Sequence, residues 1–212
     1  MKVKICGLTE PHSLTAAMEG GADFVGFVFV PESPRYATPE VVKYLASYVP
    51  ATITRVGLFV DPKPDLLQQI LQQGFLDMIQ LHGSESIDFI KEIKDRYRLP
   101  VIKAINIAAK NDLAAVPAYE VVADWILFDA KASGGMTGGT GHSFDWSILK
   151  DYPHTKPWML AGGLNAKNVR EALKILSPDA IDVSSGVESV RGVKDPGEIR
   201  AFLNLAKSAQ SR

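Results

Sequence analysis

The chain is poor in cysteine and has a single thiol, Cys6, among its 212 residues. One cysteine cannot form an internal disulfide, which argues against a disulfide-stabilised secreted scaffold and favours a cytoplasmic location. The formal net charge is only −1, without the basic stripe that marks a nucleic-acid surface. The sequence also lacks an apolar run of membrane-spanning length and an apolar leader of the secretory kind. We therefore expect no nucleic-acid partner and no membrane partner.

Cofactor signals are equally scarce. No group of His, Cys, Asp and Glu residues has the spacing of a metal site, and no glycine fingerprint for a dinucleotide follows the first apolar run. The sequence therefore predicts neither a metal nor another cofactor.

What the sequence does contain is a regular alternation of short β-branched runs with longer amphipathic ones. We predict strands near residues 2–5, 23–29, 53–60, 77–81, 100–105, 124–129, 157–161 and 180–184. We predict helices over residues 39–48, 65–73, 85–96, 165–176 and 196–208. Thr38, Asn165 and Asp195 are the expected start signals, and glycines at 20, 21 and 74 are expected to end helices.

Eight strands alternating with helices indicate a parallel sheet covered by helices. We predict a single α/β domain over residues 1–212 that closes into a (β/α)₈ TIM barrel, with an open doubly wound sheet as the alternative. Active sites of such barrels lie at the carboxyl ends of the strands. The residues expected at these ends are Cys6, 30–35, Asp61, His82, Asn106, Asp129, Gly162, Gly163, Ser184, Ser185 and Gly186.

The period of two along a strand predicts which side chains point into the barrel. Lys4 and Cys6 share the inward face of the first strand, and Asp129 and Asp182 point inward from the sixth and eighth. A thiol and a carboxylic acid on opposite sides of a barrel suit a general base and a general acid. Lys4 is the nearby cation that would lower the pKa of the thiol.

Two glycine-rich turns follow the seventh and eighth strands. They contain Gly162 and Gly163 in the first, and Ser184, Ser185 and Gly186 in the second. Barrels often hold phosphate between these two loops, where backbone N–H groups face the anion. This pattern predicts a phosphorylated small molecule as the ligand.

Three further features are candidates for substrate handling. Arg35 lies on a proline-stiffened loop and could bind a planar carboxylate through two hydrogen bonds. His82 follows the fourth strand and is either a substrate-positioning or a structural histidine. The glycine-rich segment 133–146 is expected to close over the substrate as a lid.

Eight motifs spread over nearly the whole chain resemble the phosphoribosylanthranilate isomerase family of tryptophan biosynthesis. They are KICGLT at the start, GFVFVPESPR (26–35), VGLFVD (56–61), QLHG (80–83), LFDAK (127–131), GGTGHSFDW (138–146), LAGGLNAKNV (160–169) and DVSSGVE (182–188).

The resemblance implies an Amadori rearrangement of N-(5-phosphoribosyl)anthranilate to 1-(2-carboxyphenylamino)-1-deoxyribulose 5-phosphate. It implies that Asp129 is the general acid and Cys6 the general base. It further implies that Arg35 contacts the anthranilate carboxylate, that the two glycine-rich loops hold the phosphate, and that Asp182 touches the sugar or the amine.

Other functions on the same barrel stay open at this point. The related sugar-phosphate isomerase of histidine synthesis uses an aspartate where this chain has Cys6, and acceptance of both substrates is a further possibility. A barrel that binds a phosphorylated ligand without reacting would keep the glycine-rich loops and could lose Cys6 or Asp129. A role fused to neighbouring enzymes is conceivable, but a free-standing monomer or homodimer is favoured.

Overall fold

The computed structural model describes residues 1–130 and 145–209. Its eight parallel strands form a closed barrel in which each strand pairs with the next and β8 pairs with β1. The strands are β1 Lys2–Cys6, β2 Phe24–Val28, β3 Thr54–Phe59, β4 Met78–Leu81, β5 Val101–Ile107, β6 Trp125–Ala130, β7 Trp158–Leu160 and β8 Ala180–Val183. The predicted barrel is therefore confirmed, and the open sheet is wrong.

Helices cover the outside of the barrel. The α-helices are α1 Pro11–Glu19, α2 Pro39–Ala46, α3 Pro64–Leu71, α4 Ile87–Tyr97, α5 Val116–Glu120, α6 Val169–Ile175 and α7 Pro196–Ser208. Between β6 and β7 the described residues contain only a short 3₁₀ helix, Trp146–Leu149. Residues 133–144 of the predicted lid lie outside the described residues.

Helix start signals are right at two of the three predicted positions. Thr38 Oγ1 accepts a hydrogen bond from the N–H of Val41, and Asp195 caps α7. Asn165 does not start a helix, because its side chain accepts from the N–H of Lys167 within a turn. That turn delays the start of α6 to Val169.

Alternation along the strands separates two apolar clusters, as predicted. Val3, Ile5, Ile126 and Phe128 belong to the large cluster between strands and helices. A smaller cluster fills the lower barrel and consists of Phe24, Val56, Met78, Ile102, Ala104, Leu127, Met159, Ala161 and Ala180. Polar side chains lie between this smaller cluster and the carboxyl ends of the strands. The barrel interior is therefore filled by apolar side chains at its amino end and lined by polar ones at its carboxyl end.

An additional hairpin follows β8. A 3₁₀ turn over Ser185–Val187 leads into β9 Glu188–Val190, which pairs antiparallel with β10 Val193–Lys194. The hairpin returns Glu188 and Lys194 to the carboxyl end of the barrel. No helix within residues 1–130 and 145–209 has both the length and the apolar character needed to cross a bilayer.

The cap of α7 can be tested by substitution. Asp195 Oδ1 accepts from the N–H groups of Gly197 and Glu198 at 2.7 and 3.0 Å. Asp195→Ala should lower the free energy of unfolding by about 1 kcal/mol in urea titrations. Asp195→Asn keeps the acceptor oxygen and should lose much less; equal losses for the two variants would contradict the capping role.

Candidate active site

A pocket opens at the carboxyl ends of the strands. Its described lining consists of Cys6, Val28, Val30, Ser33, Arg35, Leu58, Val60, Gln80, His82, Asp129, Asp182 and Ser184. A second, smaller pocket shares Asp129, Asp182 and Ser184 with it and reaches the loops after β7 and β8. The two pockets therefore adjoin along these three side chains.

Cys6 ends β1, points inward and is only 3% exposed. Its register partner on β2 is Gly26, where an added Cβ would lie 2.9 Å from the Cys6 sulfur. A glycine at this point of β2 therefore leaves room for the thiol. Sequence reasoning placed Cys6 on the inward face but did not identify the function of Gly26.

Lys4 lies one pleat below Cys6 and is fully buried. Its Nζ donates to Asp182 Oδ1 at 3.0 Å, between register partners on β1 and β8. Burial alone would lower the pKa of Lys4, but Asp182 and Cys6 raise it above its ordinary value. The Lys4 charge is therefore retained and largely balanced by Asp182.

The thiol itself has a raised pKa. Burial is the largest cause; Lys4 opposes it, Asp182 reinforces it, and Lys194 opposes it again. The expectation that Lys4 lowers the pKa is right in direction, but the effect of burial outweighs that of Lys4. A thiolate formed here would be a stronger base than an exposed one.

Asp129 ends the inward face of β6 and meets His82. Asp129 Oδ1 accepts from the N–H of Ala130 at 2.8 Å, and Oδ2 lies 3.1 Å from His82 Nε2. The Gln80 side-chain nitrogen lies 3.0 Å from His82 Nδ1 and donates to it when the ring proton is on Nε2. His82 Nε2 makes no hydrogen bond with Asp129 Oδ2 despite the short distance, which leaves this ring nitrogen available to a ligand.

Arg35 is buried and held by an acidic partner that the sequence analysis did not single out. Its Nε and Nη2 donate to the two carboxylate oxygens of Glu188 at 2.6 and 2.9 Å. Lys194 Nζ contacts the same carboxylate. Against the effect of burial, these cations bring the pKa of Glu188 to about 2. The only sequence signal was the position of Glu188 at the end of DVSSGVE.

The two glycine-rich loops touch each other. At Gly186 an added Cβ would lie 1.8 Å from the carbonyl oxygen of Leu164, so only glycine permits this approach. Gly162, Gly163, Ser184 and Ser185 line the smaller pocket, whereas Gly186 lies outside its lining. Gly186 therefore packs the two loops together, and the other four residues face the space between them.

Nine of the ten predicted site residues line the two adjoining pockets. The tenth, Gly186, lies outside the lining and packs against Leu164. Within the described part of the chain, no group of three or more His, Cys, Asp and Glu residues could hold a metal ion. The arrangement offers a thiol, two carboxyl groups, an imidazole ring and two buried cations. Such a set can transfer protons and bind anions.

Comparison with known proteins identifies a family whose model covers most of the chain. The model described as N-(5'phosphoribosyl)anthranilate (PRA) isomerase matches residues 3–205. N-(5'-phosphoribosyl)anthranilate isomerase of Paracoccus denitrificans is 48% identical over 208 residues, which cover 97% of each chain.

Two crystal structures extend the comparison. A phosphoribosyl anthranilate isomerase in complex with reduced 1-(o-carboxyphenylamino)-1-deoxyribulose 5-phosphate has a TM-score of 0.87 and 36% identity. Mutually generated monomers of the dimeric enzyme from Thermotoga maritima have a TM-score of 0.86 and 36% identity. Each alignment covers 98% of this chain and 99% of the other.

The close packing of the loop after β7 predicts that Gly162→Ala strongly destabilises the fold. Gly162 has φ +84°, and an added Cβ would lie 2.5 Å from the backbone nitrogen of Ala130. Gly21 has φ +81° with no atom within 4 Å of its added Cβ, which makes Gly21→Ala a matched control. Gly21→Ala should lower the free energy of unfolding, measured by urea titration, by about 1 kcal/mol. Gly162→Ala should lower it clearly more. Equal losses would contradict the steric contact with Ala130.

Proposed function

The chain belongs to the N-(5'-phosphoribosyl)anthranilate isomerase family, and from this premise we propose that it catalyses the Amadori rearrangement of N-(5-phosphoribosyl)anthranilate. The product is 1-(2-carboxyphenylamino)-1-deoxyribulose 5-phosphate, an intermediate of tryptophan biosynthesis. The observation that carries the mechanism is the convergence of the Cys6 thiol and the Asp129 carboxyl group on one pocket. These groups come from β1 and β6, far apart around the barrel.

In the first step, Asp129 acts as the general acid. It protonates the ribose ring oxygen, the bond from that oxygen to C1′ breaks, and the nitrogen lone pair forms an iminium with C1′. The Ala130 N–H donates to Asp129 Oδ1, and the His82 ring lies beside Oδ2. The hydrogen bond from Ala130 stabilises the carboxylate that remains once the proton has left.

In the second step, Cys6 acts as the general base. The iminium withdraws electrons from C2′, so the thiolate can remove the C2′ proton and give an enolamine. Protonation at C1′ and loss of the proton from the C2′ hydroxyl complete the aminoketose. The protons balance within the molecule, and the iminium serves as the electron sink. Lys4 lies beside the thiol and stabilises its anionic form.

Anion contacts at both ends orient the substrate. Glu188 occupies Nε and Nη2 of Arg35, which leaves Nη1 as the nitrogen that we assign to the anthranilate carboxylate. The phosphate would lie against Gly162, Gly163, Ser184 and Ser185, with Gly186 holding the loops together. Asp182 lines both pockets and would lie beside the sugar between these anions.

The assembly and location follow from the same proposal. We place the reaction in the cytoplasm, where the aminoaldose substrate would be made, and assign residues 1–212 to a single domain. The chain would work as a monomer or a homodimer, since both forms are named for the Thermotoga maritima relative. The small-molecule substrate is its only required partner, and the mechanism uses no cofactor.

Two substitutions test the acid and the base. Cys6→Ser and Asp129→Asn should each lower kcat by about 10²-fold to 10⁴-fold, because each removes one proton transfer. The substrate can be generated from anthranilate and ribose 5-phosphate, and its conversion followed by the loss of anthranilate fluorescence. Asp88→Asn is a matched control, since the Asp88 side chain is 93% exposed on α4.

Circular dichroism should show that all three variants are folded. Full activity of either folded variant would refute the role of that residue. A wild-type protein that binds the phosphorylated compound without converting it would refute the catalytic proposal and favour a binding barrel.

A further inference from the structure

Two cations lie close to Cys6, but their charges are not equally available. Lys4 is paired with Asp182 at 3.0 Å, and both are buried. Asp182 offsets part of the stabilisation that Lys4 gives to a thiolate at Cys6. A second cation would therefore add to the effect of Lys4.

A cluster of three residues at the edge of the pocket contains such a cation, and one of its members, Arg35, lines the pocket. In the Arg35–Glu188–Lys194 cluster, one carboxylate faces two cations, and all three side chains are at most 7% exposed. One positive charge of the cluster is therefore unbalanced in a region of low dielectric constant. Burial lowers the pKa of Lys194; Glu188 and Cys6 oppose this, and Arg35 adds to it.

Short contacts connect this cluster with the thiol-bearing strand. Lys194 Nζ donates to the carbonyl oxygen of Ser184 at 3.0 Å and to its Oγ at 3.2 Å. Ser184 Oγ in turn donates to the carbonyl oxygen of Cys6 at 3.1 Å. Lys194 is thus connected through Ser184 to the end of β1.

We propose that the unbalanced charge of the Arg35–Glu188–Lys194 cluster stabilises the Cys6 thiolate, and that Lys194 is the positioning residue that supplies it. This inference deepens the proposed function, because it rests on Cys6 as the base. Lys194 does not line the pocket and acts through space and through Ser184. In return, the thiolate stabilises the protonated form of Lys194.

The charged and titratable groups around the thiol come from several elements. They are Lys4 on β1, Asp182 on β8, Arg35 after β2, Glu188 and Lys194 on the hairpin, and His82 and Asp129 across the pocket. Among these, Lys194 lies outside the lining of both pockets, so its removal leaves the lining side chains in place. Glu188 keeps its two hydrogen bonds with Arg35 when Lys194 is absent.

The single cysteine makes a direct test possible. Thiolate absorbance near 240 nm can be titrated with pH, and the same titration of Cys6→Ser supplies the background from tyrosines. Lys194→Met removes the charge at similar length and should raise the titration midpoint of Cys6 by about one pH unit. Lys194→Arg keeps the charge and should leave the midpoint near that of the wild type.

Lys43→Met is a matched control, because Lys43 is exposed on α2, away from the pocket. It should leave the midpoint unchanged. The proposal is overturned if folded Lys194→Met titrates like the wild type, or if Lys194→Arg shifts as far as Lys194→Met. A higher KM for Lys194→Met with an unchanged midpoint would also overturn it, since the charge would then serve the substrate carboxylate.

These outcomes are separable from the test of the proposed function. The titration needs no substrate, so the midpoint can shift in a protein that proves inactive on phosphoribosylanthranilate. Conversely, the wild type could be active while Lys194→Met has an unchanged titration midpoint of Cys6. Cys6 would then remain the proposed base, and Lys194 would have no role in stabilising its thiolate.

Discussion

The buried pairing of Lys4 with Asp182 is the constraint around which the site is arranged. These residues are register partners on the first and last strands, so the ion pair lies where the barrel closes. Charges this deeply buried are tolerated only when paired, which fixes both side chains on the inward face. The pair also lies between the smaller apolar cluster inside the barrel and the pocket at the carboxyl ends of the strands.

Because Lys4 is paired with Asp182, the cations near the thiol contribute to it in different ways. Lys4 supports the thiol locally but is balanced by Asp182, whereas the hairpin after β8 brings in a second cationic cluster. The hairpin also holds Arg35 through Glu188, so the proposed carboxylate contact and the proposed base depend on one added element. Burial raises the pKa of the Cys6 thiol, so the thiolate is a strong base once it is formed.

Much of this arrangement is predictable from the sequence, because it follows from local periodicity. Alternation along β1, β6 and β8 places Cys6, Asp129 and Asp182 on the inward face, and strand polarity places them at one end. The proline after Thr38 and the proline after Asp195 likewise mark real helix starts. These features need no knowledge of distant contacts.

What the sequence does not reveal depends on contacts between distant residues. Arg35 and Glu188 are separated by 153 positions, and no local pattern indicates their pairing. The pKa of Cys6 depends on burial, which outweighs its cationic neighbour. Asn165 resembles a helix cap but is used in a turn, because its amide bonds locally. The close approach of Gly186 to Leu164 likewise joins two loops that are distant in sequence.

The central claim is that the side chain at position 6 removes the C2′ proton. The most direct measurement is the pH dependence of kcat/KM for wild type and for Cys6→Asp, which exchanges one base for a more acidic one. For wild type, activity should rise with pH on the alkaline side, because the pKa of the buried thiol is raised. For Cys6→Asp, a lower but measurable activity should rise at a more acidic pH, since the ordinary pKa of an aspartate, about 4, lies well below that of a thiol and both groups would be raised by the same burial. If the rise stays at the same pH in both proteins, another group is the base and the account is wrong.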